Sequence, residues 1–169
     1  TSGGDIDVGR VSQGARITTS GGDIQLRSAS GEVRATTAGG DLELEDVTGS
    51  VDARTAGGDI YVELTPAGNG RSALNTEGGS ITLYIDPEAS VTIEARIRSG
   101  RDGWRRNRRD WDDRRNEYEI RSDFEADEYE DEVDSGDVKA VYRLNGGGER
   151  VTLETRDGHI DIRRLGSQR

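Results

Sequence analysis

Cysteine and methionine are absent from these 169 residues, and lysine, histidine, phenylalanine and proline are close to absent. Without Cys there is no disulfide, no thiol nucleophile and no thiolate metal site. The lone histidine, His159, has no Ser or Cys partner pattern around it and reads as an outward surface residue. No apolar run approaches the roughly 18 residues of a membrane span. Apolar side chains are scarce as well: Leu, Ile, Val and Phe together number 32 of 169, under a formal net charge of −11. Composition alone would describe a disordered chain. The same charge argues against a nucleic-acid partner, which needs a basic face.

What is present is a repeat. Ser2-Gly3-Gly4-Asp5-Ile6 returns as Ser20-Gly21-Gly22-Asp23-Ile24, Ala38-Gly39-Gly40-Asp41-Leu42 and Ala56-Gly57-Gly58-Asp59-Ile60, 18 residues apart each time. A short fixed period means that one unit cannot bury its own apolar side and must stack on the next. A weaker glycine repeat at Gly14, Gly31 and Gly49 splits each unit into two strands and two turns. Within them the period is two, as in half-buried strands: Val33, Ala35 and Thr37 share one side, Leu42 and Leu44 the next. The period stretches to 21 at Glu77-Gly78-Gly79-Ser80-Ile81, with Pro66–Gly70 as the inserted turn.

Strands continue over Ser80–Ile85 and Ser90–Ile97, then at Glu117–Phe124, Asp137–Leu144, Arg150–Thr155 and His159–Leu165. Residues 100–116 form an Arg/Trp-rich loop insertion, and residues 125–136 an acidic loop. The expected fold is all-β: a single-domain parallel β-solenoid over 1–169, of β-helix or β-roll type, with two strands in each 18-residue turn. At roughly 4.8 Å per strand, seven or so turns make a rod of about 35 Å. An antiparallel meander of hairpins is the competing reading.

The Gly-Gly-Asp-Ile units resemble a bacterial adhesin family of β-strand repeat proteins, most of whose members have no assigned function. Ile120-Arg121-Ser122-Asp123-Phe124 carries the resemblance further, as does the ending from Asn145-Gly146-Gly147-Gly148 to Gly158-His159-Ile160. It implies a β-solenoid exported to or displayed at the bacterial envelope, and it supplies no catalytic residues. Thr1 opens inside a repeat with no initiator Met. A removed signal peptide and an extracellular or cell-surface location are therefore expected, a sequence cut at its start being the alternative.

Four sets of residues stand out. Asp5, Asp23, Asp41 and Asp59 form a column of like charges, repelling by about 1 kcal/mol per neighbour at high effective dielectric. Bonds from the amides of each aspartate's own turn would offset this, and a Ca²⁺ column is the alternative, although Asp here directly follows the Gly pair, unlike in calcium-binding β-rolls. The two ends, Asp5-Ile6-Asp7-Val8 and His159-Ile160-Asp161-Ile162, are expected to be uncapped edges open to head-to-tail pairing. Trp104, Arg105, Arg106 and Trp111 are expected to make a lateral contact, with a solvated loop as the plainer reading. Outward Tyr61 and Tyr84 could stack on sugars. Together these point to a non-enzymatic surface or adhesin-like protein with itself as partner, assembling into a filament and needing no cofactor. A monomeric module sensing envelope or matrix polysaccharide is the alternative.

Overall fold

The computed structural model describes residues 1–68, 70–98, 118–132 and 137–166, with backbone alone for Asp131 and Glu132. The insertion at 100–116, with Trp104, Arg105, Arg106 and Trp111, lies outside the described residues. All regular structure among them is strand. In chain order these are β1 (Ile6–Val11), β2 (Ala15–Thr18), β3 (Ile24–Thr36), β4 (Leu42–Arg54), β5 (Ile60–Pro66), β6 (Arg71–Thr76) and β7 (Ile81–Ile85). They continue as β8 (Val91–Ile97), β9 (Ile120–Ser122), β10 (Glu128–Glu132), β11 (Asp137–Leu144), β12 (Glu149–Thr155) and β13 (Ile160–Arg164).

The period-two pattern becomes burial. Ile24 and Leu26 are buried while Gln25 and Arg27 are exposed, and β5, β7 and β8 alternate in the same way. Each buried Leu, Ile or Val contributes about 1.5–3 kcal/mol relative to exposure. Ladder pairing puts equivalent residues of the early units side by side, as in Ile6↔Ile24, Ile24↔Leu42 and Leu42↔Ile60. Backbone groups of each strand are thereby satisfied by the next unit, which explains how a chain so poor in apolar residues stays ordered.

The strands lie in two rows. The first runs β1-β3-β4-β5-β7-β13-β9, parallel throughout. The second runs β2-β3-β4-β6-β12-β8, again parallel. β11 then pairs antiparallel with β8, and β10 antiparallel with β11. β3 and β4 are long enough, at 13 residues each, to take part in both rows. Inward residues of the two rows, among them Leu42, Leu83 and Ile162 with Leu74, Ile93 and Leu153, form one core cluster. The architecture is a β-solenoid-like stack, but the sheet is mixed and not wholly parallel as expected.

Chain order and stacking order part company after β7. β5 and β6 are neighbours of β7 and β12, not of β7 and β8. The chain skips one place in the second row to lay down β8, and later one place in the first row to lay down β9. Strands β12 and β13 return to fill both places, β12 between β6 and β8 and β13 between β7 and β9. To enter, the chain must cross the start of β8 in the four residues between β11 and β12. Asn145, Gly146, Gly147 and Gly148 all have positive φ, at 51°, 85°, 79° and 158°. A Cβ on Gly148 would strike the carbonyl oxygen of Ser90. Asn145 Nδ2 pins the crossing by donating to the Pro87 and Ala89 carbonyls at 3.0 Å each.

The acidic stretch 125–136, read above as a loop, contains β10. It forms on the open edge of β11, where Lys139 Nζ lies 3.7 Å from Glu130 and Arg143 Nη2 lies 3.0 Å from Glu128.

Candidate functional site

The Gly-Gly turns stack into a column held by two ladders. In the first, a threonine that precedes each glycine pair donates its buried hydroxyl to the carbonyl of the previous turn. Thr37 bonds Gly22 O, Thr55 bonds Gly40 O and Thr76 bonds Gly58 O, each at 2.9 Å, and Thr155 bonds Gly79 O at 2.7 Å. The hydroxyls of Thr37, Thr55 and Thr76 also accept from the amide of the second glycine of their own turn, as Thr76 does from Gly79 N at 3.2 Å. Glycine is required there by close approach: a Cβ on Gly58 would run into Gly40 O.

The second ladder uses the aspartates. Oδ1 of Asp5, Asp23, Asp41 and Asp59 accepts the amide of the equivalent residue in the next turn, at 3.0, 2.8, 2.8 and 2.7 Å. Ser80 Oγ continues it to His159 N at 3.2 Å, and His159 Nδ1 accepts from Glu119 N at 3.1 Å. The amides that hold each Asp come from the following turn, not from its own. Among the described residues no group of three or more His, Cys, Asp or Glu side chains is placed to hold a metal ion. His159 Nδ1 serves as an acceptor that ties the last Gly turn to the start of β9, with the Tyr118 ring edge-on at 5.7 Å. The sequence reading does not include the threonine ladder, although Thr recurs three residues before the last glycine of each of these turns, from Thr1 and Gly4 to Thr155 and Gly158.

The two expected docking edges fare differently. Among the described residues β1, which holds Ile6, Asp7 and Val8, pairs on one side only, with β3, and β2 likewise. Asp5 directly precedes it, its carboxylate engaged by Asp23 N. At the other end, His159, Ile160, Asp161 and Ile162 are no edge. β13 is paired on both sides, and Ile160 and Ile162 are fully buried. The correction follows from the return of β12 and β13 into the stack: last in the chain is not last in space. Among the described residues the far edges are β9, paired only with β13, and β10, paired only with β11. β9 is held by Asp123, which accepts from Arg163 Nη1 and Arg164 N at 3.1 Å each. Those bonds, the Arg164 amide first, lower the Asp123 carboxyl below its ordinary pKa.

Tyr61 and Tyr84 meet on the outer side of β5 and β7, ring centroids 5.4 Å apart and tilted by 44°. The Tyr61 hydroxyl donates to Glu63 Oε1 at 2.8 Å. Burial first, and then that bond and the Glu63 charge, push the phenol well above its usual pKa. On the outer side of the second row lies a depression of about 290 Å³ lined by Arg54, Asn75, Glu77, Arg98, Glu154 and Arg156. It opens where β4, β6 and β12 run into the Gly turns.

Searches of curated proteins and of solved structures each return no match. A family model described as Toastrack DUF4097 matches residues 1–139, from the first turn into β11, so that β12 and β13 lie beyond the match. With most of its length covered, the chain belongs to the Toastrack DUF4097 family.

Proposed function

We propose that this chain is a non-enzymatic, extracytoplasmic structural element of adhesin type that associates head to tail with copies of itself. The reading takes the molecule as a coil of about 18 residues and two strands per turn. It is supported over the early units by partners 18 apart, such as Ile24↔Leu42. The observation that carries it is the unlike charge of the two open ends. β10 presents Glu128 and Glu130, whereas β2 presents Arg16 and no acid. Two copies meeting β10 to β10 would set like charges opposite one another, which is the usual protection of an edge strand. Pairing β10 to β2 sets acid against Arg16, so charge favours the heterologous contact, which does not close on itself and propagates. The second row extends one strand beyond β9, so that this contact uses β10.

Sedimentation velocity from about 1 µM to about 1 mM tests this, a range that spans weak self-association. Wild-type protein is expected to grow in size with concentration. Arg16→Glu and Glu130→Arg should each suppress growth, and the double variant should restore it. A wild-type chain that stays monomeric throughout, or a double variant no better than either single one, overturns the proposal.

A second reading, a monomeric module contacting envelope polysaccharide, has the Tyr61–Tyr84 pair in its favour, since paired aromatic rings offer a stacking surface for sugars. Loss of glycan binding in Tyr61→Ala and Tyr84→Ala with the fold retained would support it.

A further inference from the structure

A chain of net charge −11 distributes that charge unevenly between its two rows. On the outer side of β2, β3, β4, β6, β12 and β8 in the second row stand Arg16, Arg34, Arg54, Arg71, Arg96 and Arg150, against Glu32, Asp52, Glu94 and Glu154. On the first row the balance reverses: Asp7, Glu43, Glu45, Glu63 and Asp161 face Arg27, Arg121 and Arg163. The Arg-rich side is also where the depression lies.

Its geometry is a lane across the strands. Register aligns Arg54 with Asn75, Asn75 with Glu154 and Glu154 with Arg96. At about 4.8 Å per strand the two arginines lie roughly 14 Å apart, with an amide and a carboxylate between them. Arg98 Nε sits 2.7 Å from Glu154, and Arg54 Nε sits 2.9 Å from Asp52. Arg96 and Arg156 form no ion pair or hydrogen bond with any described residue. Guanidinium groups offer flat, forked donors that match an oxyanion.

We propose that this lane binds a linear polysaccharide bearing carboxylates, a uronate polymer, with Arg96 and Arg156 taking its acid groups. The acids in the lane decide among polyanions. Glu154, Glu77 and Asn75 accept hydrogen bonds from sugar hydroxyls, which a polyphosphate chain does not have. To a dense phosphate polymer the same carboxylates are repulsive. Charges spaced by neutral, hydroxyl-rich rings fit arginines spaced by acceptors. The inference does not depend on self-association, and it uses a different side of the stack from the tyrosine pair.

The test is calorimetric titration with polygalacturonate at low salt in the presence of chelator, beside dextran as the neutral polymer and polyphosphate as the dense anion. Polygalacturonate should bind and dextran should not, with polyphosphate clearly weaker. Arg96→Ala and Arg156→Ala combined should weaken binding about tenfold or more, as expected for losing two charge-assisted contacts. Both side chains are exposed, and unchanged thermal melting of the double variant identifies the loss as one of binding. Tyr61→Ala should bind as the wild type does. No binding of polygalacturonate overturns the proposal, as does polyphosphate binding equally well or an arginine variant that keeps full affinity. Loss on Tyr61→Ala alone would overturn it in favour of the tyrosine surface.

Discussion

At the scale of single residues, the turn column concentrates its stability in a few atoms. Thr55 Oγ1 both donates to Gly40 O and accepts from Gly58 N, in a buried site. Thr55→Val preserves shape and leaves both backbone groups unpartnered, at a cost of about 1–3 kcal/mol. Urea denaturation should show that loss with an unchanged m-value. Asp123 gives a pH dependence whose sign is fixed. Its pKa is lowered in the folded state. The stabilisation is therefore present above the carboxyl's ordinary value and is lost as pH falls through the lowered one. Thermal melts of wild type and Asp123→Asn should differ at neutral pH and converge in acid. A difference that persists in acid would mean that Asp123 acts through packing and not through its charge.

At the scale of elements, β12 and β13 hold the far part of the stack to the near part. Without them β6 and β8 lose a shared neighbour, as do β7 and β9. Ile93, Leu74 and Leu83, now fully buried, would face an empty slot. In a stack whose units contact only their neighbours, such damage stays local. A chain ending at Leu144 is thus expected to keep slow amide exchange in β3, β4 and β5 and to lose it in β8 and β11. Uniform protection, or uniform loss, would contradict this division. The strands themselves were readable from the sequence: Ser90–Ile97 and Asp137–Leu144 match β8 and β11 closely, because one-sided burial leaves an alternating record. β10 left none. Its partner β11 covers an edge and not a face, so Glu128-Tyr129-Glu130 buries no side chain, Tyr129 staying exposed, and the stretch resembles a solvated loop.

At the scale of the whole molecule, the repeat specified stacking but not order. Up to Ile81 each Gly-Gly turn sits on the one before it in sequence, so spacing and space agree. Afterwards the turn at Asp157-Gly158 sits on Gly79, as the closeness of Gly158 to Gly79 O shows. Nothing in a local pattern separates a neighbour 18 residues away from one 79 away. That is why the sequence pattern presents His159–Ile162 as an end when it is an interior turn and strand. The charge sidedness was hidden for a related reason. Net charge sums over the chain, whereas the two rows sort alternate segments of it to opposite sides.

The late return of β12 and β13 also bears on how the molecule is made. As the polypeptide emerges from the ribosome, the first four or so turns can settle one upon another as they appear. β8, β9 and β11 cannot finish, because the strands that belong beside them are still unsynthesised. The closing step waits for Glu149–Arg164, which bridges both rows at once. A product released early would carry an open slot with exposed backbone and apolar side chains, of the kind that proteases and chaperones bind. Translation to the far side of Arg164 thus works as a completeness check written into the topology.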